Sequence, residues 1–241
     1  MTTVDLRRET TVEGTSKSLS AYVARPMTPG PWPAVVVVHE AFGIDDVMRR
    51  QADRIASAGY LAVLPDLFSD GGPLRCLKAT FASLRRGDGR AFRDIEAARA
   101  WAVSQPDCTG GVGVIGFCMG GAFALMVAAG RGFEASAVNY GILPSDLDAT
   151  VAGACPIVAS YGGRDRALKG SAAKLDAALE RQAVPHDVTE YPNAGHSFLN
   201  DGPVGPRWLQ PVFKVLHLGP EPESATEAWV RIDAYFAEHL R

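Results

Sequence analysis

The sequence is poor in cysteine, and its four cysteines, at positions 76, 108, 118 and 155, form no Cys-x-x-Cys pair. This spacing argues against a zinc ribbon and against a dense disulfide framework, since both need closely grouped cysteines. No metal site is predicted, and a reducing, cytoplasmic setting is the simplest expectation.

Long apolar runs and an excess of positive charge are also missing. No apolar run approaches the roughly 18 residues that a membrane-spanning helix needs, and residues 1–15 are polar, without the apolar core of a signal peptide. The net charge is −3, whereas nucleic-acid-binding proteins usually carry a basic patch or stripe. The sequence therefore predicts neither a membrane nor a nucleic-acid partner.

The chain does have enough apolar residues for a large core. Hydrophobic residues make up 47% of its 241 residues and charged residues 21%, a composition that argues against disorder. Single α/β domains commonly reach about 200–250 residues. With no internal repeat or linker visible, we expect one domain over residues 1–241.

Short apolar segments alternate with helical patterns along the chain. Residues 34–38, Ala-Val-Val-Val-Val, are typical of a strand buried on both faces. A looser alternation predicts an N-terminal pair of strands at 10–13 and 19–24. The order implies an α/β fold, with a doubly wound, mostly parallel sheet and helices on both faces. Further strands are expected at 61–64, 112–115, 135–139, 156–160 and 188–191.

Cys118 lies in Gly-Phe-Cys-Met-Gly-Gly at 116–121, between a predicted strand and a predicted helix. The α/β-hydrolase nucleophile elbow has the form Gly-x-nucleophile-x-Gly in that setting, because small residues let strand and helix approach at a sharp turn. Free amides at the start of the helix favour a thiolate and an oxyanion. A buried structural cysteine is the alternative, but the glycines favour a nucleophile.

A thiol that transfers acyl groups needs a histidine to move the proton and an acid to orient that histidine. In α/β-hydrolases the chain order is nucleophile, acid, histidine. Asp165 and His196 each follow a predicted strand, at the strand ends where catalytic groups gather. A turn or helix-cap aspartate is the alternative for Asp165, but the ordered series starting at Cys118 favours a catalytic acid.

The segment after the first core strand, His-Glu-Ala-Phe-Gly at 39–43, carries further candidates. In α/β-hydrolases this loop supplies one oxyanion amide and the residue after the nucleophile supplies the other, here Ala41 and Met119. Glu40 follows an apolar strand, where burying a carboxylate is costly unless it is hydrogen-bonded. It is either a solvent-facing loop residue or a neighbour of Cys118 that holds the thiol protonated until substrate arrives.

Together these segments resemble the dienelactone hydrolase family of α/β-hydrolases. The order and spacing match over nearly the whole chain, from about residue 10 to the end. The matching pieces are residues 39–43, Pro-Asp-Leu at 65–67, residues 113–121, Tyr-Gly-Gly-Arg-Asp at 161–165 and Ala-Gly-His-Ser-Phe at 194–198.

This resemblance implies a Cys-Asp-His triad at Cys118, Asp165 and His196 that cleaves a lactone ester through an acyl-cysteine. It also implies that Glu40 interacts with the resting thiol and swings when substrate binds. No metal and no organic cofactor is implied. The expected partner is a small-molecule ester or lactone, and the expected assembly is a monomer or a small homo-oligomer.

The sequence departs from the family pattern at two positions. Members that act on dienelactone place one arginine shortly after the Asp-Leu loop and another four residues after the histidine, to hold the substrate carboxylate. The corresponding residues here are Asp70 and Asn200. Arg75 and Arg207 are nearby and would suit a carboxylate, although ordinary surface arginines are the simpler interpretation.

Candidate walls of the substrate pocket are Phe42, Arg75, Ser197, Phe198 and Trp208, with plain core packing as the alternative for the aromatic residues. Two other functions stay open. One is a general carboxylesterase or thioesterase of the same fold, and the other is a non-catalytic relative that binds a small ligand. Residues 200–223, rich in proline and glycine, are expected to form a surface excursion of the same domain.

Overall fold

The structure, a computed structural model, describes residues 2–203, 205, 210–215 and 217–240, with the backbone alone at 210, 212 and 214. Two residues considered from the sequence, Arg207 and Trp208, lie outside the described residues.

The strands of the described chain form one sheet, in the spatial order β1-β2-β4-β3-β5-β6-β7-β8. The first two neighbouring pairs are antiparallel and all the others are parallel. This confirms the α/β fold with a mostly parallel sheet. In chain order the strands are β1 Thr2–Val4, β2 Ala21–Ala24, β3 Trp32–Val38, β4 Leu61–Pro65, β5 Cys108–Phe117, β6 Ala135–Asn139, β7 Ile157–Gly162 and β8 His186–Tyr191.

Helices connect the strands, and no described helix combines the length and apolar character needed to cross a membrane. The segment predicted as a surface excursion contains a short helix and a bridge from Leu218 to His196. The helices are α1 Leu6–Glu9, α2 Asp46–Ser57, α3 Gly72–Arg86, α4 Arg90–Ser104, α5 Met119–Val127, α6 Leu147–Val151, α7 Ser171–Arg181, α8 Gln210–Val215 and α9 Pro222–Leu240.

The two faces of the sheet are covered by different helices. Ser136 in β6 donates a hydrogen bond to the carbonyl of Ala124 in α5 (3.0 Å). Its neighbour Ala135 pairs with Gly113 of β5 and therefore faces the same side of the sheet as Gly113. A Cβ added at Gly113 would come within 2.7 Å of the Leu240 side chain in α9. Because side chains alternate between the faces of a strand, α5 and α9 pack on opposite faces of the sheet.

The N-terminal pair of strands is predicted only in part. The second strand is present as β2, but residues 10–13 are not a strand, and the partner of β2 is β1. The chain between them forms α1, which Asp5 caps by accepting from the Arg8 amide at 3.3 Å. This helix buries Leu6 completely, and residues 10–13 follow it without forming a strand.

Asp94 in α4 is a buried carboxylate that holds the segment after α1 in place. It accepts a hydrogen bond from the Ser16 amide at 2.7 Å and one from the Ser16 hydroxyl at 2.6 Å. Burial raises the pKa of Asp94 to about 6, against the opposing effects of the Ser16 bonds and the Arg90 charge.

Asp94→Asn should therefore alter how stability depends on pH. Since the pKa of Asp94 in the folded protein is raised from 3.8 to about 6, the folded protein binds this proton more tightly than the unfolded chain does. The contribution of Asp94 to the free energy of unfolding then falls as pH rises from about 4 to about 6, and is level above that range.

Urea unfolding between pH 4 and pH 7 should show that fall in the wild type and a flatter profile in Asp94→Asn. Asp88→Asn, which removes an exposed ion pair with Arg93, is the matched control and should keep the wild-type profile. An unchanged profile in Asp94→Asn would contradict the argument.

Candidate active site

Cys118 occupies the turn between β5 and α5, as the elbow pattern predicts. Its backbone has φ 55° and ψ −114°, a conformation that costs a non-glycine residue about 1–3 kcal/mol. The Cys118 amide donates to the carbonyl of Asn139 at the end of β6 (3.1 Å). The sheet thus stabilises the strained turn and keeps the half-buried thiol at its tip.

The glycines around Cys118 allow the backbone to approach very closely. A Cβ at Gly116 would collide with the carbonyl of Gly120, and one at Gly120 would collide with the carbonyl of Val38 in β3. A Cβ at Gly121 would lie 2.5 Å from the Asn139 carbonyl. In each case the obstacle is backbone that cannot rotate away, so the spacing of these glycines follows from the packing of α5 against the sheet.

Asp165 and His196 meet at the same edge of the sheet. Asp165 follows β7 and His196 follows β8, and the Nδ1–H of His196 donates to Asp165 Oδ2 at 2.6 Å. The other carboxylate oxygen of Asp165 accepts from the Ala167 amide at 3.1 Å. With Nδ1 engaged by the acid, the Nε2 atom of His196 is left for Cys118.

The charge on His196 is favoured by its two neighbours. Burial by itself lowers the pKa of His196, but the hydrogen bond with Asp165 and the interaction with the Cys118 thiol outweigh burial and raise it. These two interactions stabilise the protonated form that His196 takes when it accepts a proton.

Glu40 is buried at this edge, with only 4% of its surface exposed. Its Oε1 accepts from the Ser197 hydroxyl at 2.9 Å and from the Asn200 amide at 3.2 Å. Burial raises the pKa of Glu40, although both hydrogen bonds and His196 oppose the rise. Of the two sequence interpretations, the solvent-facing loop residue is wrong, because the carboxylate lies inside the protein.

The amides of Ala41 and Met119 are free to act on a ligand. In the part of the chain that the structure describes, neither amide donates to a protein group. Met119 begins α5, so its N–H also lies at the positive end of that helix. Ala41 lies in the loop that follows β3, and Met119 directly follows Cys118 after β5.

Comparison with known proteins identifies the family. Residues 19–240 match the model of the dienelactone hydrolase family. This chain belongs to the dienelactone hydrolase family. An Escherichia coli (strain K12) relative, provisionally named carboxymethylenebutenolidase, is 30% identical over 211 residues, which are 80% of this chain and 77% of the relative.

Other relatives match this chain over nearly its whole length. A Yersinia pestis protein with the same provisional name is 27% identical and covers 96% of this chain and 88% of its own length. The crystal structure of a provisionally assigned dienelactone hydrolase from Klebsiella pneumoniae subsp. pneumoniae MGH 78578 has a TM-score of 0.76 at 24% identity, covering 95% of this chain and 97% of that chain. The protein is therefore a hydrolase of the dienelactone hydrolase type, and its substrates are small molecules.

His39 positions the loop that carries Glu40, a role that the sequence analysis missed. Its Nε2 accepts from the Leu67 amide (3.2 Å), so its Nδ1–H donates to the carbonyl of Glu40 (2.7 Å). Burial lowers the pKa of His39, which keeps the ring neutral in this bridging tautomer. The signal in the sequence was its place at the end of an apolar strand, beside Glu40.

Tyr140 is a second residue that the sequence analysis missed. It is fully buried with a φ of 41°, and its ring centroid lies 5.1 Å from that of His196. Burial, followed by the negative charges of Glu40 and Cys118, raises the pKa of Tyr140 well above its ordinary value. Its position directly after the predicted strand at 135–139 was the available signal.

The predicted pocket residues lie in different surroundings. Ser197 bonds to Glu40, and Phe198 is fully buried between Tyr140 and Tyr191, so both support the site from inside. Phe42 is 42% exposed on the loop after Glu40. Arg75 lines a cavity between α3 and α4 and has no recorded bond to the groups around Cys118. Trp208 lies outside the described residues.

Among the described residues, no group of three or more histidine, cysteine, aspartate or glutamate side chains is arranged to hold a metal ion.

Gly116→Ala should test whether backbone contact holds the elbow. Because the new methyl group would collide with the Gly120 carbonyl, α5 must move, and we expect a loss of about 3 kcal/mol or more in the free energy of unfolding. At Gly111, on the same strand, a Cβ would lie 3.2 Å from the Glu134 carboxylate and 3.3 Å from the Leu240 carbonyl. Shifts of a few tenths of an ångström relieve both contacts, so Gly111→Ala should cost less than about 1 kcal/mol. Denaturant unfolding measures both, and equal losses would contradict the argument.

Proposed function

We propose that this protein hydrolyses an ester or lactone through an acyl-cysteine, with Cys118 as nucleophile, His196 as base and Asp165 as the acid that orients it. The observation that carries the proposal is the 2.6 Å bond between His196 and Asp165, with the Cys118 thiol next to the same ring. Three loops of one sheet edge thereby bring together side chains of the types that a nucleophile, a base and an orienting acid require.

In the first step the substrate carbonyl lies between the Cys118 sulfur and the amides of Ala41 and Met119. The thiol proton passes to His196 or to Glu40, and the sulfur forms a bond to the carbonyl carbon. The negative charge that develops on the carbonyl oxygen is stabilised by the two free amides. One such donor contributes about 3–4 kcal/mol to transition-state stabilisation in a comparable hydrolase.

In the second step the alcohol leaves with the proton that the thiol gave up, returned by His196 or Glu40, and the acyl group stays on Cys118 as a thioester. His196, still oriented by Asp165, then takes a proton from water, whose oxygen attacks the thioester carbonyl. The carboxylic acid is released and the thiol is restored. An amine or thiol in place of water would give acyl transfer, so the product mixture decides between the two reactions.

Cys118→Ala tests the proposed nucleophile. We expect hydrolysis of p-nitrophenyl acetate to fall by about 10³-fold or more, with the fold retained, because the attacking sulfur is gone. Intact-protein mass spectrometry after rapid mixing should show an acetyl adduct on the wild type and none on the variant.

Cys155→Ala is the matched control, since burial raises the pKa of Cys155 to about 12 and leaves that thiol protonated. This variant should form the adduct as the wild type does. Full activity in Cys118→Ala would overturn the proposed mechanism.

Glu40→Gln separates the two candidate bases for the thiol proton. Glutamine keeps an oxygen that accepts from Ser197 and Asn200 but replaces the proton-accepting carboxylate. If Glu40 takes the proton, acylation should slow by about 10²-fold or more while deacylation is unchanged. Rapid-mixing measurements of the burst and of the steady state separate these rates, and an unchanged burst would assign the proton to His196.

Three further properties stay predictions from the sequence. These are a single domain over residues 1–241, a cytoplasmic location, and a monomeric or small homo-oligomeric state. Sedimentation of the purified chain would measure the last of these directly.

A further inference from the structure

Tyr140 is a buried titratable residue that the mechanism above does not use. It follows β6 and is fully buried, and in the part of the chain that the structure describes its hydroxyl has no hydrogen-bond partner. Its amide donates to the Ser160 carbonyl of β7 at 2.8 Å, so the sheet fixes where the side chain begins. A buried hydroxyl without a partner is energetically costly. This cost points to an acceptor that comes within reach in another protonation state of the site.

Backbone strain at Tyr140 points to the same place. Five non-glycine residues of the described chain have a positive φ. Three of them, Cys118, Tyr140 and Ser197, belong to the candidate active site, where Ser197 bonds to the Glu40 carboxylate. A residue with a side chain keeps such a conformation only where the surrounding structure enforces it, and such residues cluster at functional sites. The strain therefore supports a role for the position of Tyr140 in the site.

The neighbours of the Tyr140 ring include a charged acceptor. The ring centroid lies 5.1 Å from that of His196 and 5.7 Å from that of Phe198. Phe198 offers no acceptor, and the Nδ1 atom of His196 is engaged by Asp165. The Glu40 carboxylate is close enough for its charge to raise the pKa of Tyr140, which is the largest effect after burial. Glu40 is therefore the acceptor that this arrangement favours.

Glu40 has room for a third hydrogen bond. Its Oε1 accepts from Ser197 and Asn200, whereas no donor of the described chain reaches its Oε2. The two oxygens of an ionised carboxylate together offer about four lone-pair positions. The Tyr140 hydroxyl stays protonated, because burial raises the pKa of Tyr140 well above its ordinary value. It is thus a donor at every pH at which Glu40 titrates.

We propose that Tyr140 is a positioning residue for Glu40, whose ionised carboxylate accepts a hydrogen bond from the Tyr140 hydroxyl at Oε2. The hydroxyl closes on Oε2 by a small movement of either side chain when the carboxylate ionises. The bond stabilises the form of Glu40 that takes the Cys118 proton, and it opposes burial, which raises the pKa of Glu40. This inference rests on the proposed function, in which Glu40 is one of two candidate bases, and it requires that base to be Glu40.

The first test compares Tyr140→Phe with Tyr161→Phe by urea unfolding between about pH 4 and about pH 9. Both tyrosines are buried, but the Tyr161 hydroxyl donates to a neutral acceptor, the Gly141 carbonyl, at 3.1 Å. Because the Tyr140 bond needs ionised Glu40, the stability lost in Tyr140→Phe should grow as pH rises through the pKa of Glu40. We expect that growth to be about tenfold or more in the equilibrium constant for unfolding. The loss in Tyr161→Phe should be the same at every pH.

Glu40→Gln shows whether Glu40 is the acceptor. In that background the effect of Tyr140→Phe should lose its pH dependence, because no carboxylate remains at position 40 to ionise. An equal loss at all pH values would make Tyr140 merely structural. A pH-dependent loss that persists in the Glu40→Gln background would assign the bond to another group. Either result, or no loss at any pH, would overturn the proposal.

Other titratable groups surround Glu40. His196, after β8, opposes the rise in the pKa of Glu40, and Asp45, before α2, adds to it. His39, at the end of β3, donates to the Glu40 carbonyl, and burial lowers the pKa of His39. Cys118 lies at the elbow on the same edge of the sheet. All four are present in the wild type and in the tyrosine variants, so their effects cancel in the comparison.

The second test is the pH profile of kcat/KM for p-nitrophenyl acetate, which reports titrating groups of the free enzyme. Without the bond less Glu40 is ionised at a given pH, so the acidic limb in Tyr140→Phe should lie about one pH unit above that of the wild type, with the same plateau. Tyr161→Phe should keep the wild-type profile. An unmoved limb in Tyr140→Phe would show that Glu40 is not the base and would overturn the positioning role.

The two tests separate this inference from the proposed function. Unfolding needs no turnover, so it reports the bond between Tyr140 and Glu40 whatever the reaction is. Mass spectrometry after mixing with p-nitrophenyl acetate reports the Cys118 adduct. A wild type without that adduct would overturn the acyl-cysteine mechanism, and the positioning role with it. An adduct in the wild type with no pH-dependent loss in Tyr140→Phe would overturn the role of Tyr140 alone.

Discussion

The arrangement of the site depends on a backbone contact that only glycine permits, between the start of α5 and the end of β3. A side chain at Gly120 would collide with the Val38 carbonyl, and this closeness places the turn at Cys118 directly beside the loop that carries Glu40. The strained conformation of Cys118 is stabilised by the hydrogen bond to Asn139. Rigid backbone, and not side-chain packing alone, sets the distance between the candidate groups.

Around that contact, uncharged groups hold the Glu40 loop and its carboxylate through hydrogen bonds. His39 stays neutral and bridges the Leu67 amide to the carbonyl of Glu40, so the loop has a fixed course. The Glu40 carboxylate in turn accepts only uncharged donors among its recorded bonds. His196 is the titratable partner, and its interactions with Asp165 and Cys118 favour its charged form. The charge on His196 also opposes the rise in the pKa of Glu40 that burial causes.

Much of the central sheet could be predicted, because strands buried on both faces are continuous apolar runs. The prediction for residues 135–139 has the same bounds as β6, Ala135–Asn139. The N-terminal strands were harder, because β1, Thr2–Val4, is short and largely exposed at the edge of the sheet. Its pairing with β2 depends on contacts across the chain that leave no periodic pattern in so few residues.

The sequence by itself determined which residues stand at the strand ends, since Cys118, Asp165 and His196 follow strands that apolar patterning makes visible. Parallel strands end at one edge of the sheet, so the pattern places all three residues on the same edge. Only the tertiary structure decided the partners of Glu40, because Ser197 is 157 positions away along the chain. Which side chains meet across such a separation depends on how the loops pack, and local pattern does not encode it.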